Sequence, residues 1–142
     1  MIRINSFKKI EHPDLAKQAF KIRNTVFVEE QMVDPTLEYD EFEDIATHYL
    51  LYYNDIPVVT ARWRKTDKGI KLERFATLKE YRFKKLGDAI LEKILADVKE
   101  FELPVYLHSQ LKAVSFYERR GFVKEGEIFV EADIKHYMMR LE

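Results

Sequence analysis

Apolar side chains recur at helical spacing in two stretches and gather in short runs elsewhere, and this divides the chain into elements. Leu15, Ala19, Ile22 and Val26 fall three or four residues apart, one stripe of a helix. Pro13 and Asp14 precede them; proline is tolerated in a first helical turn, and an acid there suits the helix dipole. A longer stripe, Leu86, Ile90, Ile94 and Val98, predicts a helix from about Phe83 to Phe101, with Lys84, Asp88, Glu92 and Lys99 among its polar positions. Elsewhere the runs are short and rich in aromatic and β-branched residues, the composition of strands. These runs are Ile2 to Asn5, Ala46 to Tyr53, Pro57 to Arg64, Ile70 to Thr77 and Val105 to His108, with two more opening at Phe122 and Ile134. Asn54-Asp55 and Asp67-Lys68-Gly69 mark turns between successive strands. Gln110 to Arg119 reads as a last helix, and Gly121 suits the left-handed position just past its end.

The resulting order is β-α-loop-β-β-β-α-β-α-β-β. It predicts a mixed α/β (α+β) domain, with helices on both faces of one sheet. No repeat, low-complexity stretch or linker interrupts the 142 residues, so one domain spanning 1–142 is expected.

Composition narrows the function classes. The chain is 46% hydrophobic and 35% charged, ordinary for a globular protein. Neither a signal peptide nor a bilayer-spanning run is evident, so a cytoplasmic location without membrane partners is expected. The absence of cysteine excludes a disulfide framework and a thiol nucleophile. The four histidines lack metal-ligand spacing, so no metal site is expected. A net charge of −1 carries no nucleic-acid footprint.

That net charge conceals an asymmetry. Between Asn24 and Ala61 there are nine acids and no lysine or arginine, while the rest of the chain has a clear positive excess. A solvated acidic loop would explain this. So would an acidic wall for a cationic amine, set opposite a basic wall for a polyphosphate.

Two segments carry recognisable chemistry. One is Gln110-x-x-Ala113-x-x-Phe116-Tyr117-x-x-x-Gly121-Phe122. The other runs from Glu73 through Arg82 to Gly87, a strand entering a loop and then a helix start, where unpaired amides and the dipole favour anions. Together they resemble the GNAT acetyltransferases. The family's segment reads R/Q-x-x-G-x-G/A. Arg82 and Gly87 match it, whereas Lys85 occupies a glycine position and Phe83 stands where a glycine often follows the arginine.

The resemblance implies the GNAT acyl-CoA N-acyltransferase fold, a mostly antiparallel sheet splayed between its fourth and fifth strands. It implies acetyl-CoA held by Phe75, Ala76 and Thr77 on the strand, by Arg82, Phe83, Lys84, Lys85, Leu86, Gly87 and Asp88 around the pyrophosphate, and by Gln110, Ala113, Phe116 and Tyr117. Tyr117 would be the general acid for the departing thiolate. Glu73 is the first candidate for general base, with His48, His108, Glu38 and Asp44 as others.

Arg23-x-x-x-Phe27-x-x-Glu30-Gln31, then Glu38, Asp40, Asp44, Ala46 and His48, then Ala61-Arg62, are similar to the ElaA-like and YjcF-like subgroup. So is the tail Glu131-Ala132-Asp133-Ile134-Lys135-His136. This likeness implies that Arg23, Phe27, Gln31, Glu38, Asp40, His48, Arg62 and His108 surround a poorly defined amine acceptor, small molecule or protein, and the acid-rich stretch favours a cationic one. Structural roles explain the N-terminal group equally well, for instance an ion pair between Arg23 and Asp44. A homodimer through exposed strand edges is open. Two other readings remain at this point: a relative of the acyl-homoserine-lactone synthases, and a non-catalytic module that binds acyl-CoA or a protein.

Overall fold

The computed structural model describes residues 1–142. Seven strands form one sheet: β1 (Ile2–Phe7), β2 (Thr47–Tyr53), β3 (Ile56–Thr66), β4 (Gly69–Thr77), β5 (Val105–Gln110), β6 (Phe122–Glu131) and β7 (Ile134–Leu141). Their spatial order is β1-β2-β3-β4-β5-β7-β6. Every neighbouring pair is antiparallel except β4 and β5. The helices are α1 (Pro13–Arg23), α2 (Pro35–Glu38), α3 (Leu86–Val98) and α4 (Val114–Glu118). No helix is long and apolar enough to cross a membrane.

The two-residue period of β2 shows why helices cover both faces. Leu50 and Tyr52 join Ala16, Ala19 and Ile22 of α1 in one apolar cluster. Tyr49 and Leu51 point the other way, into a larger cluster with Leu86, Ile90 and Ile94 of α3. The expected class and the helices on both faces are therefore present.

Element ends differ from expectation for local reasons. Helix α3 starts at Leu86, not Phe83, because Phe83 and Lys85 have φ of 65° and 60°, outside the right-handed helical region. The expected helix at Gln110 contracts to a 3₁₀ turn over Leu111–Ala113 and the short α4, with Gln110 closing β5. Helix α1 continues into wider π-helical turns from Asn24 to Glu30, where no proline or glycine stops it. Asp34 caps α2, its carboxylate accepting from the Thr36 amide at 2.9 Å.

The site depends on β4 and β5 beginning together and then parting. Gly69 permits the beginning. Its φ is 131°, and a Cβ there would lie 2.2 Å from the Pro104 carbonyl oxygen. Ile70 donates to that same oxygen at 2.8 Å. Parallel pairing then lasts three steps, Ile70–Val105, Lys71–Tyr106 and Leu72–Leu107. Beyond Leu72, β4 gains one residue relative to β3, since Arg62 pairs with Glu73 but Thr60 with Ala76. Arg74 takes a φ of 60° within this bulge. Bulges bend strands, and β4 leaves β5 here.

Candidate active site

The parting of β4 and β5 opens a cavity of about 450 Å³. Glu73 to Phe75 line one side and Leu107 to Gln110 the other. Phe27, Gln31 and the α2 region close it from the α1 face, and Ala113 and Tyr117 reach it from the opposite face. Gln110 donates to the Gln31 side chain at 2.8 Å, joining the end of α1 to β5 across the gap.

Ala76, Thr77, Phe116 and the loop from Arg82 to Asp88 are not among the residues that line the cavity; next to Thr77 and Phe116 lies an open backbone. The amides of six consecutive residues, Phe83 to Asp88, donate no hydrogen bond within the protein; the first helical amide that does is Ala89, to Lys85 at 3.2 Å. Phe83 and Lys85 hold the left-handed angles that glycine would adopt freely, so their side chains do not abolish the turn. Phe83 projects fully into solvent. Gly87 is not needed for its own backbone angles: a Cβ there would meet the Phe116 ring at 3.6 Å, an ordinary contact. An array of unpartnered amides flanked by Lys84 and Lys85 fits a pyrophosphate.

Side chains around this loop are partly engaged. Arg82 donates to the Thr77 carbonyl at 3.0 Å and to both Glu30 carboxylate oxygens at 2.6 and 2.8 Å. Asp88 accepts from Arg120 at 3.2 Å, and Leu86 is core. These last two offer the loop only their amides. Ala76 is buried beneath α1.

Tyr117 sits deeper. Its ring meets Phe75, Phe116 and Phe122 edge-on, with centroids 5.8, 4.9 and 5.8 Å away. Every fully buried side-chain polar atom in the molecule has a hydrogen-bond partner, yet the Tyr117 hydroxyl has none, so it opens onto the cavity. Burial pushes its pKa up, which keeps the phenol protonated and a donor at neutral pH.

The other end is a closed electrostatic cluster. Arg23 donates to Glu38 and Glu43, both at 2.6 Å. Arg62 reaches Asp40 at 2.7 Å, Glu43 at 2.8 Å and Glu73 at 2.9 Å. Arg74 spans Glu38 and Asp40, while Arg64 and Lys71 reach Glu73 at 2.9 and 3.3 Å. Burial alone would raise the Glu73 carboxyl, but Arg62, Arg64 and Lys71 outweigh it and hold its pKa down. Burial holds His48 below its usual pKa, with Nε2 donating to the Glu43 carbonyl at 2.9 Å.

At the point of parting on β5, His108 places Nδ1 3.1 Å from a carboxylate oxygen of Glu131, at the end of β6. That bond is the main reason the Glu131 pKa falls to about 2. Glu131, Ala132, Ile134 and His136 bring the β6–β7 hairpin into the cavity wall. The hairpin turns on Ala132 and Asp133, both left-handed, at φ of 53° and 62°.

Comparison with known proteins decides the family. The family described as Acetyltransferase (GNAT) domain matches residues 11–142. The chain belongs to the GNAT acetyltransferases. The uncharacterized N-acetyltransferase YjcF of Bacillus subtilis (strain 168) is 39% identical over 127 residues, covering 87% of this chain and 89% of that protein. Escherichia coli ElaA superposes with a TM-score of 0.88 at 27% identity, over 99% of each chain. The PaiA N-acetyltransferase of Thermoplasma acidophilum, solved with coenzyme A, shares the fold at a TM-score of 0.68 and 14% identity, over 100% of this chain and 99% of that one.

The protein is therefore an acyltransferase of the GNAT family, and its expected residues divide by position. Phe75, Gln110, Ala113 and Tyr117 converge on the cavity, as do Phe27, Gln31, Glu38, Asp40, Glu73 and His108. Arg23, His48 and Arg62 do not reach it: they are at most 1% exposed and hold the cluster from behind. The partners of Arg23 are Glu38 and Glu43, whereas Asp44 lies outside with Lys9 at 3.2 Å. The acidic wall is likewise corrected. Glu38, Asp40 and Glu43 are matched by arginines, and the lining balances four acids (Glu38, Asp40, Glu73, Glu131) with four bases (Arg64, Lys71, Arg74, Lys112).

Sequence reasoning gave no site role to Glu43, Arg64, Lys71, Arg74 or Glu131. A signal existed for some of them. Arg62 and Arg64 on one strand and Lys71 and Glu73 on the next lie two apart, which places four charges on one face of a hairpin.

Proposed function

We propose that this GNAT domain transfers the acetyl group of acetyl-CoA to a primary amine by direct attack, with Tyr117 as the general acid. The reading rests above all on the unpartnered Tyr117 hydroxyl opening into the cavity where β4 and β5 part. Acetyl-CoA supplies the acetyl group as an activated thioester. The free amides of Phe83 to Asp88, with Arg82, Lys84 and Lys85, would bind its pyrophosphate. Beyond Leu72 the edge of β4 lacks a β5 partner, which leaves the main chain around Phe75 and Thr77 to hold the pantetheine arm. Tyr117 would hydrogen-bond the sulfur as it gains charge and supply its proton. Near-neutral lining removes the basis for a strictly cationic acceptor, so the acceptor is proposed only as a primary amine.

The test is thiol release from acetyl-CoA across a panel of amines, with Tyr117→Phe beside the wild type. The variant keeps the ring packing and should lose kcat by about 10²-fold. Its acetyl-CoA affinity should stay within about twofold, a small change on the free-energy scale. Unchanged kcat would remove Tyr117 from the mechanism. Saturable acetyl-CoA binding with no turnover on any amine would favour the non-catalytic module.

A further inference from the structure

We propose that His108 is the general base that deprotonates the incoming amine and that Glu131 is its positioning residue; this rests on the acetyl-transfer reading above. Three features of the gap support it. First, Glu73, the carboxylate on the facing strand, is engaged by Arg62, Arg64 and Lys71 and is a weak proton acceptor. Second, His108 is the first β5 residue after the Leu72–Leu107 pair, where the strands part. Third, Glu131 accepts from Nδ1 at 3.1 Å, which fixes the proton on that nitrogen and leaves Nε2, without a protein partner, as the basic atom.

The surroundings fit the role. Phe129 lies edge-on to the His108 ring at 4.9 Å, and Tyr106 is tilted at 6.3 Å. The charged or titratable groups near the pair are Lys71 from β4, Tyr106 from β5 itself, Glu131 from β6 and His136 from β7. His136 is the rival imidazole. It donates from Nδ1 to the Ile134 carbonyl at 2.7 Å, is only 6% exposed, and pairs in register with Gln110, beyond the point of parting. A backbone carbonyl orients it, whereas the Glu131 carboxylate orients His108.

The step balances as follows. The amine nitrogen bonds to the thioester carbonyl carbon and the carbon–sulfur bond breaks. His108 Nε2 takes the proton that the nitrogen sheds, and Tyr117 gives one to the sulfur. Proton return from the imidazolium to the phenolate through water restores both side chains. The products are an N-acetylated amine and free CoA thiol.

The experiment measures kcat/KM against pH for wild type, His108→Gln, Glu131→Gln and Glu131→Asp, with acetyl-CoA affinity measured by calorimetry on each. His108→Gln should lose kcat by about 10²-fold and also lose the acidic limb of the profile. Glu131→Gln should lower kcat by about tenfold with the KM for the amine within about twofold, since the carboxylate that orients the imidazole is lost, and Glu131→Asp should restore kcat partly. Acetyl-CoA affinity should be unchanged throughout. A His108→Gln enzyme whose kcat and acidic limb match wild type overturns the proposal while acetyl transfer stands. A wild type inert toward every amine overturns transfer itself, and the base with it.

Discussion

The two ends of the cavity are built on opposite principles. At the α2 end every buried polar atom is satisfied: four carboxylates meet four guanidiniums and one ammonium in a continuous network. At the α3 end six consecutive amides, one strand edge and one phenol are left without partners. Orphan backbone groups are uncommon in folded proteins, so a run of them marks a place where a ligand can complete the structure. Arg23, Glu43 and Arg62 sit within that network and not on the cavity wall, whereas Glu38, Asp40 and Glu73 belong to both. Much of the α3 end consists of main-chain groups, which any residue can supply.

The comparison breaks most easily at Glu43, which joins Arg23 to Arg62 and is 6% exposed. Glu43→Ala leaves two buried guanidiniums short of an acceptor, and loss of one member of such a network costs about 3–5 kcal/mol. Urea unfolding should show that loss, while the folded fraction should bind acetyl-CoA with unchanged affinity. Intact stability with lost binding would place the cluster in the functional part instead.

Acid should act on the same end. Burial alone would raise the Asp40 carboxyl, but Arg62 and Arg74 hold it down, from the usual 3.8 to about 2. A depressed folded pKa gives stability that is present above the unfolded value and lost as pH falls through the folded one. Asp40 should thus contribute about 2 kcal/mol at neutral pH, lost as the pH falls from about 4 to about 2. Asp40→Asn should flatten that part of the stability–pH curve. A curve that superposes on wild type would mean the carboxylate is not held by the arginines.

This division also explains what was legible in the sequence. Helical periodicity exposed the two main helices, because burial on one face imposes it, and short aromatic and apolar runs between turn residues exposed the seven strands. The parting of β4 and β5 came only through family resemblance. Its physical agents, a bulge at Arg74 and the close approach at Gly69, leave no periodic trace. Glu43 counted only as one acid of a loop and Glu131 only as part of a tail motif, since their partners are 20 and 23 residues away. Phe83 and Lys85 looked like obstacles because sequence shows the side chain and not the φ angle behind it.

A smaller effect separates those two properties. Lys85→Pro removes one amide and imposes a φ near −65°, where the loop requires 60°. Lys85→Gly removes only the side chain and its charge. Acetyl-CoA affinity should fall about tenfold or more in the first variant and within about threefold in the second, a difference of about 0.7 kcal/mol at its smallest. Equal losses would assign the binding to the ammonium group, and the open backbone would lose its significance.

The smallest effect lies where the two ends touch. Glu30 closes the last turns after α1 and holds the Arg82 guanidinium in an ion pair with both partners about one-third exposed. Such a pair is worth only about 0–1 kcal/mol. A pyrophosphate on the adjacent amides would compete with Glu30 for the same guanidinium. Glu30→Gln should therefore tighten acetyl-CoA binding two- to fourfold, roughly the energy of the pair it removes. Calorimetry at low ionic strength gives the clearest reading, because salt screens both competitors. Weaker binding would reverse the assignment: Glu30 would then hold Arg82 ready for phosphate, and the satisfied network would extend into the cofactor loop.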